Sequence, residues 1–155
     1  MKIYIMRHGE AQQFASSDAE RALTDRGSHE SEAVARACAS QRDVQSFDLV
    51  LVSPYLRAQQ TWELLAEHFS VRKVETCDGI TPYGQSDRVF DYLSALIEVD
   101  QLESLLLVSH LPLVGYLVSE FVEGMIPPMF PTSGMICIEY DPVTQTGQPL
   151  WNVHP

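Results

Sequence analysis

The chain has 155 residues, 45% of them hydrophobic, which suits one globular domain with a sizeable core. Its 21 acidic and 10 basic residues leave a net charge of −11, which argues against non-specific nucleic-acid binding and against docking on an anionic membrane surface. Three widely spaced cysteines, Cys38, Cys77 and Cys137, argue against a disulfide scaffold and for a reducing compartment.

Residues 2–6 form a short apolar run that predicts a strand and ends at Arg7-His8-Gly9. No charged leader with a long apolar region precedes it, and no stretch reaches the ~20 apolar residues of a membrane span. The expectation is a soluble cytoplasmic protein, a monomer with one domain over residues 1–155. After an irregular segment at 10–27, the stripe Ala33, Val34, Ala37 and Cys38 predicts a helix. Leu49 to Val52 predicts a second strand, and Ala58, Trp62, Leu65, Ala66 and Phe69 a second helix. Val89, Leu93, Leu96 and Ile97 mark a third helix, Leu105 to Val108 a third strand, and Leu113 to Val122 a fourth helix. A segment holding Pro127, Pro128 and Pro131 follows, where neither helix nor interior strand fits. Strands near 135–140 and 149–153 close the chain, joined by a hairpin around Thr144 to Gly147. The runs are continuously apolar, as in parallel strands buried on both faces. The fold class is therefore α/β, a three-layer sandwich with a mostly parallel central sheet.

In such sheets ligands bind outside the carboxyl ends of the strands. Arg7-His8 follows the first strand, Ser53-Pro54 the second and Ser109-His110 the third. With Ser53 as helix cap and Pro54 at the first helical position, Arg57 lies one turn in and reaches back over the strand ends. Two arginines and two histidines thus converge on one crevice. Eight of the ten cations in the chain are arginines, the side chain matched to planar phosphate recognition. Arg7 and Arg57 would clamp phosphoryl oxygens, each charge-assisted hydrogen bond contributing about 1.5–3 kcal/mol. One imidazole would attack phosphorus and the other would stabilise the developing charge. Spacing alone leaves open which histidine attacks. No metal-ligand spacing is present, and no cofactor is called for.

Arg7-His8-Gly9, Leu23-Thr24 with Gly27, Ser53-Pro54 with Arg57, Gln60 and Thr61, and Ser109-His110 together resemble the histidine phosphatase superfamily, which includes the phosphoglycerate mutases. The short length, the run Ser109 to Gly115 and the segment Pro127 to Phe130 resemble its SixA-type phosphohistidine phosphatases. The resemblance implies a phosphoglycerate mutase-like fold and a nucleophilic His8, with Arg7, Arg57 and His110 forming the phosphate pocket. Arg21 resembles a further phosphate contact, and pairing with Asp18 or Glu20 is its plainer reading. Ala11 and Leu111 depart from the patterns of many members. Between residues 57 and 105 there is no room for the large insertion that often carries a proton-donating acid. An alkoxide leaves poorly without such an acid, whereas an imidazole leaving group needs it less. The missing insertion therefore points to an N–P substrate. Asp18 and Glu20 remain candidate acids.

The implied substrate is a phosphorylated protein: a histidine phosphotransfer domain of a signalling relay, or a phosphohistidine carrier of a phosphotransferase system. The alternatives are a small-molecule phosphomonoesterase or mutase, and a non-catalytic phospho-binding module. His29, His68 and His154 read as solvated. Met125, Met129 and Phe130 read as loop packing or as a docking rim.

Overall fold

A computed structural model describes residues 1–155. In chain order the elements are β1 (Lys2–Arg7), α1 (Asp25–Gln41), β2 (Ser46–Phe47), β3 (Leu49–Val52), α2 (Leu56–Ala66), β4 (Ser70–Val71), β5 (Val74–Thr76), α3 (Ser86–Asp100), β6 (Ser104–Ser109), α4 (Leu113–Phe121), β7 (Met135–Asp141) and β8 (Thr146–Val153). Short 3-10 turns stand at Asp18–Glu20 and Asp78–Ile80.

Six strands make one sheet in the order β5-β3-β6-β1-β7-β8. β5, β3, β6 and β1 are parallel, while β7 and β8 are antiparallel additions. Successive side chains of a strand point to opposite faces, so each apolar run feeds two cores. Ile3, Ile5, Leu49, Leu51, Leu105 and Leu107 pack against Leu93 and Ile97 of α3 and Leu117 and Val118 of α4. Tyr4, Met6, Val50, Val52, Leu106 and Val108 pack against Val34 and Cys38 of α1 and Trp62 and Leu65 of α2. The result is a three-layer α/β/α sandwich. Each large apolar side chain buried this way contributes about 1.5–3 kcal/mol. Residues 57–105 hold only α2, short strands and α3, with no insertion subdomain. No helix is long and apolar enough to cross a membrane.

The structure differs from the sequence expectation in several places. β2 and β4 form a separate two-stranded parallel ribbon, and β5 adds an edge strand beside β3. These segments are two or three residues long and carry no apolar periodicity. α2 begins at Leu56, with Tyr55 at its N-cap, so neither the Ser53 cap nor the Pro54 helical position is realised. β8 begins at Thr146, its Pro149 tolerated on the outermost strand beside a register shift between Cys137 and Ile138. His68 is not a free surface group: its Nε2 lies 2.8 Å from Glu32 Oε1, tying α2 to α1.

Two close approaches set the loop after β1. Thr24 caps α1, its Oγ1 accepting from the Gly27 amide at 2.9 Å. A Cβ at Gly27 would fall on the Glu10 carbonyl oxygen, so this helix start meets the loop only through glycine.

Candidate active site

The β1–β6 ladder pairs Arg7 with Ser109, which brings the next residues, His8 and His110, to the same level of the sheet. The His8 amide donates to the Ser109 carbonyl at 2.9 Å. The imidazole centroids lie 5.0 Å apart. His8 is 8% exposed, His110 1% and Arg57 4%.

The Gly9 carbonyl fixes the state of His8. Its Nδ1 lies 2.7 Å from the Gly9 carbonyl oxygen, which can only accept, so Nδ1 carries the proton. Nε2 then presents its lone pair, and Arg57 Nε donates toward it at 3.3 Å. Burial pushes the His8 pKa down to about 4, and the charges of Arg57, Arg7 and Arg21 push the same way against the raising effect of the Gly9 bond. His8 is therefore neutral at physiological pH. Its anchor is braced in turn: Thr61 Oγ1 accepts from the Gly9 amide at 2.9 Å and donates to the Arg57 carbonyl at 2.7 Å.

Arg57, the second residue of α2, turns back over the strand ends. Its Nη1 donates to the Asp18 carbonyl at 2.7 Å, and its Nη2 to Asp18 Oδ2 at 3.2 Å. Arg21 donates from Nη1 to Asp18 Oδ1 at 2.9 Å and from Nε to the Gln12 carbonyl at 2.6 Å. These bonds, Arg21's first, hold the Asp18 carboxyl below its ordinary range. Asp18 is consequently ionised, the wrong state for a proton donor at neutral pH. Glu20 accepts instead from Ser17 Oγ at 2.9 Å within the same turn.

Arg7 donates from Nη1 to the Phe130 carbonyl of the proline-rich segment at 2.9 Å, and its buried Nε has no partner. Burial and the nearby Arg57 charge lower its pKa. His110 Nε2 lies 2.7 Å from Ser53 Oγ, and its buried Nδ1 has no partner. Burial, then His8 and Arg57, bring its pKa down to about 3. Tyr55 lies edge-on to His110 at 5.0 Å, with the Arg57 guanidinium over its ring at 4.9 Å.

His8, His110, Arg7 and Arg57, expected around one crevice, are brought together, while Arg21 takes its plainer reading and pairs with Asp18, which also meets Arg57. Glu20 stays outside. Sequence reasoning misses Tyr55, whose only signal is its place between Ser53-Pro54 and Arg57. It also misassigns Ser53, which faces a histidine rather than capping a helix.

The Arg7 and Arg57 guanidiniums, the latter shared with Asp18, two neutral imidazoles and two buried polar atoms without partners line one cationic crevice suited to an oxyanion. The histidine phosphatase superfamily (branch 1) pattern matches residues 3–82, which include Arg7, His8, Arg21 and Arg57. The chain belongs to this superfamily. It is 40% identical to the phosphohistidine phosphatase SixA of Escherichia coli (strain K12) over all of this chain and 94% of that protein. It is 44% identical to a SixA homolog of Haemophilus influenzae (strain ATCC 51907 / DSM 11121 / KW20 / Rd), over 84% of this chain and 82% of the other. The structure of the protein histidine phosphatase SixA complexed with tungstate superposes with a TM-score of 0.92 at 40% identity, covering 100% of this chain and 97% of that one. The fold is thus the mixed α/β, phosphoglycerate mutase-like one.

Proposed function

We propose that this chain is a protein phosphohistidine phosphatase whose own phosphorylated intermediate forms on His8. The observation that carries the reading is the His8 imidazole, locked by Gly9, neutral among cations, with its unprotonated Nε2 facing the Arg57 guanidinium. The full-length similarity to a phosphohistidine phosphatase supports the substrate class.

In the first step the Nε2 lone pair of His8 attacks phosphorus in line. The P–N bond to the substrate histidine breaks, and its electron pair stays on the departing imidazole, which leaves neutral with its proton on the other ring nitrogen. Arg7, Arg57 and His110 hold the phosphoryl oxygens while charge spreads over them. In the second step water attacks the phosphorus of phosphorylated His8. The P–Nε2 bond breaks, inorganic phosphate leaves, and Nε2 regains its lone pair. Arg21 joins the oxygens once Asp18 releases it.

The ionised state of Asp18 supports an N–P substrate. The carboxylate nearest the pocket is held deprotonated by two arginines, and residues 57–105 contribute no subdomain with another acid. An alkoxide would have to leave as a strong base with no acid to protonate it, whereas the imidazole of phosphohistidine can already carry a proton on its other nitrogen and so departs neutral. The substrate is a protein bearing phosphohistidine, of the kind found in histidine phosphotransfer domains or phosphotransferase-system carriers.

The test is phosphate release from a histidine-phosphorylated protein, compared with release from sugar and glycerate phosphates. Phosphohistidine turnover is expected to dominate and to vanish in His8→Ala. Turnover surviving that substitution removes His8 as nucleophile; faster hydrolysis of the phosphoesters removes the substrate assignment.

A further inference from the structure

Ser53 is fully buried, and its hydroxyl has two neighbours. The Tyr55 amide donates to Oγ at 3.3 Å, and His110 Nε2 lies at 2.7 Å. An amide can only donate, so it uses one of the oxygen lone pairs. The hydroxyl proton then needs an acceptor, and His110 Nε2 is the one within reach. If Nε2 carried a proton instead, Ser53 would accept twice and its own buried O–H would point at nothing, a cost of the kind buried groups avoid. Tyr55 packs against the same ring at 5.0 Å, and His110 is 1% exposed.

We propose that Ser53 is a positioning residue that donates to His110 Nε2 and so fixes His110 as the Nδ1–H tautomer, making its unpartnered Nδ1 the donor that meets a phosphoryl oxygen. This inference rests on the phosphatase reading for its catalytic consequence, but the tautomer itself does not. The orphaned Nδ1 is the second, independent observation: it is buried and no protein group partners it. A neutral imidazole in the other tautomer would offer an oxyanion only a lone pair, which repels it. Ser53 thus decides the sign of the contact that His110 makes. His8 is held in the same tautomer from the other direction, with its Nδ1–H spent on Gly9 and its Nε2 lone pair turned toward Arg57. The two imidazoles of the site then differ in role although both are neutral: one donates to the phosphoryl group and the other attacks it.

The experiment is long-range 1H–15N spectroscopy of the histidine side chains in the full chain, near neutral pH. In the wild type, His110 is expected to read as the Nδ1–H tautomer, and tungstate is expected to shift that Nδ1–H resonance downfield. Ser53→Ala is expected to mix the tautomers and lower phosphohistidine turnover roughly tenfold or more, in line with loss of an oxyanion donor. Ser53→Thr, which keeps the hydroxyl, is expected to restore the tautomer and most of the rate. An Nε2–H reading in the wild type overturns the proposal without any variant having to fold. So does a Ser53→Ala protein that retains the Nδ1–H tautomer. A wild type that shows the tautomer but does not hydrolyse phosphohistidine would instead defeat the phosphatase reading alone.

Discussion

Burying two neutral imidazoles beside arginines makes the protein's stability depend on pH in a calculable way. In the unfolded chain both histidines titrate near 6.5, while in the folded protein His8 titrates at about 4 and His110 at about 3. Above 6.5 both states are neutral there and nothing changes. As pH falls below 6.5 the unfolded chain takes up protons that the native site refuses, so stability drops. The drop ends only near the native values. Each histidine contributes a slope approaching 1.4 kcal/mol per pH unit in that window, so the pair loses about 3 kcal/mol between pH 6.5 and 5. That is a sizeable share of the roughly 5–15 kcal/mol typical of a domain. Urea unfolding at the two pH values, in buffers free of phosphate, measures it. His8→Gln and His110→Gln should each remove about half of the acid-induced loss. If both variants lost as much stability as the wild type over this interval, the site would not be holding its histidines neutral.

Two further outcomes follow from single contacts. Asp18→Asn frees Arg57 and Arg21 from a carboxylate that is 44% exposed. Ion pairs of that exposure contribute about 1 kcal/mol or less, so tungstate should bind up to about fivefold tighter by calorimetric titration, and unchanged or weaker binding would refute the competition. Thr61→Val leaves the Gly9 amide without its acceptor, which should lower stability by about 1–3 kcal/mol in urea unfolding and slow turnover by loosening the carbonyl that orients His8. An unchanged unfolding midpoint would show that Gly9 is held by other means.

The strands and helices were legible because their apolar runs are long and periodic. β1, β3 and β6 read directly from Ile3 to Met6, Leu49 to Val52 and Leu105 to Val108. β5 was not legible because Val74-Glu75-Thr76 has one apolar side chain in three, and its pairing with β3 is decided by the sheet edge. His8, His110 and Arg7 were legible because they lie at or just beyond strand ends, where the topology itself gathers side chains, and Arg57 because it lies in the first turn of the helix that follows β3. The bonds among loop residues were not. Asp18 meets Arg57 across 39 positions of chain, and nothing local distinguishes that carboxylate from a solvated one. Ser53 misled for a physical reason: a serine before proline is a good helix cap, and the buried imidazole that claims its hydroxyl comes from a strand 57 residues away.

The pairing of Arg7 with Ser109 in the β1–β6 ladder makes the sheet a ruler for the chemistry. Neighbouring strands stand about 4.8 Å apart whatever their side chains, and the two imidazole centroids lie 5.0 Å apart because each extends one rung past that pair. The backbone spacing is therefore owned by the sheet, while Gly9 and the Ser53–Tyr55 turn set how each ring is oriented upon it. A single residue deleted from either strand would turn one imidazole to the opposite face of the sheet, whereas loops that touch neither ring could be exchanged with the spacing intact. Selectivity for a partner can drift in those loops at little risk, and the spacing changes only if the sheet is rebuilt.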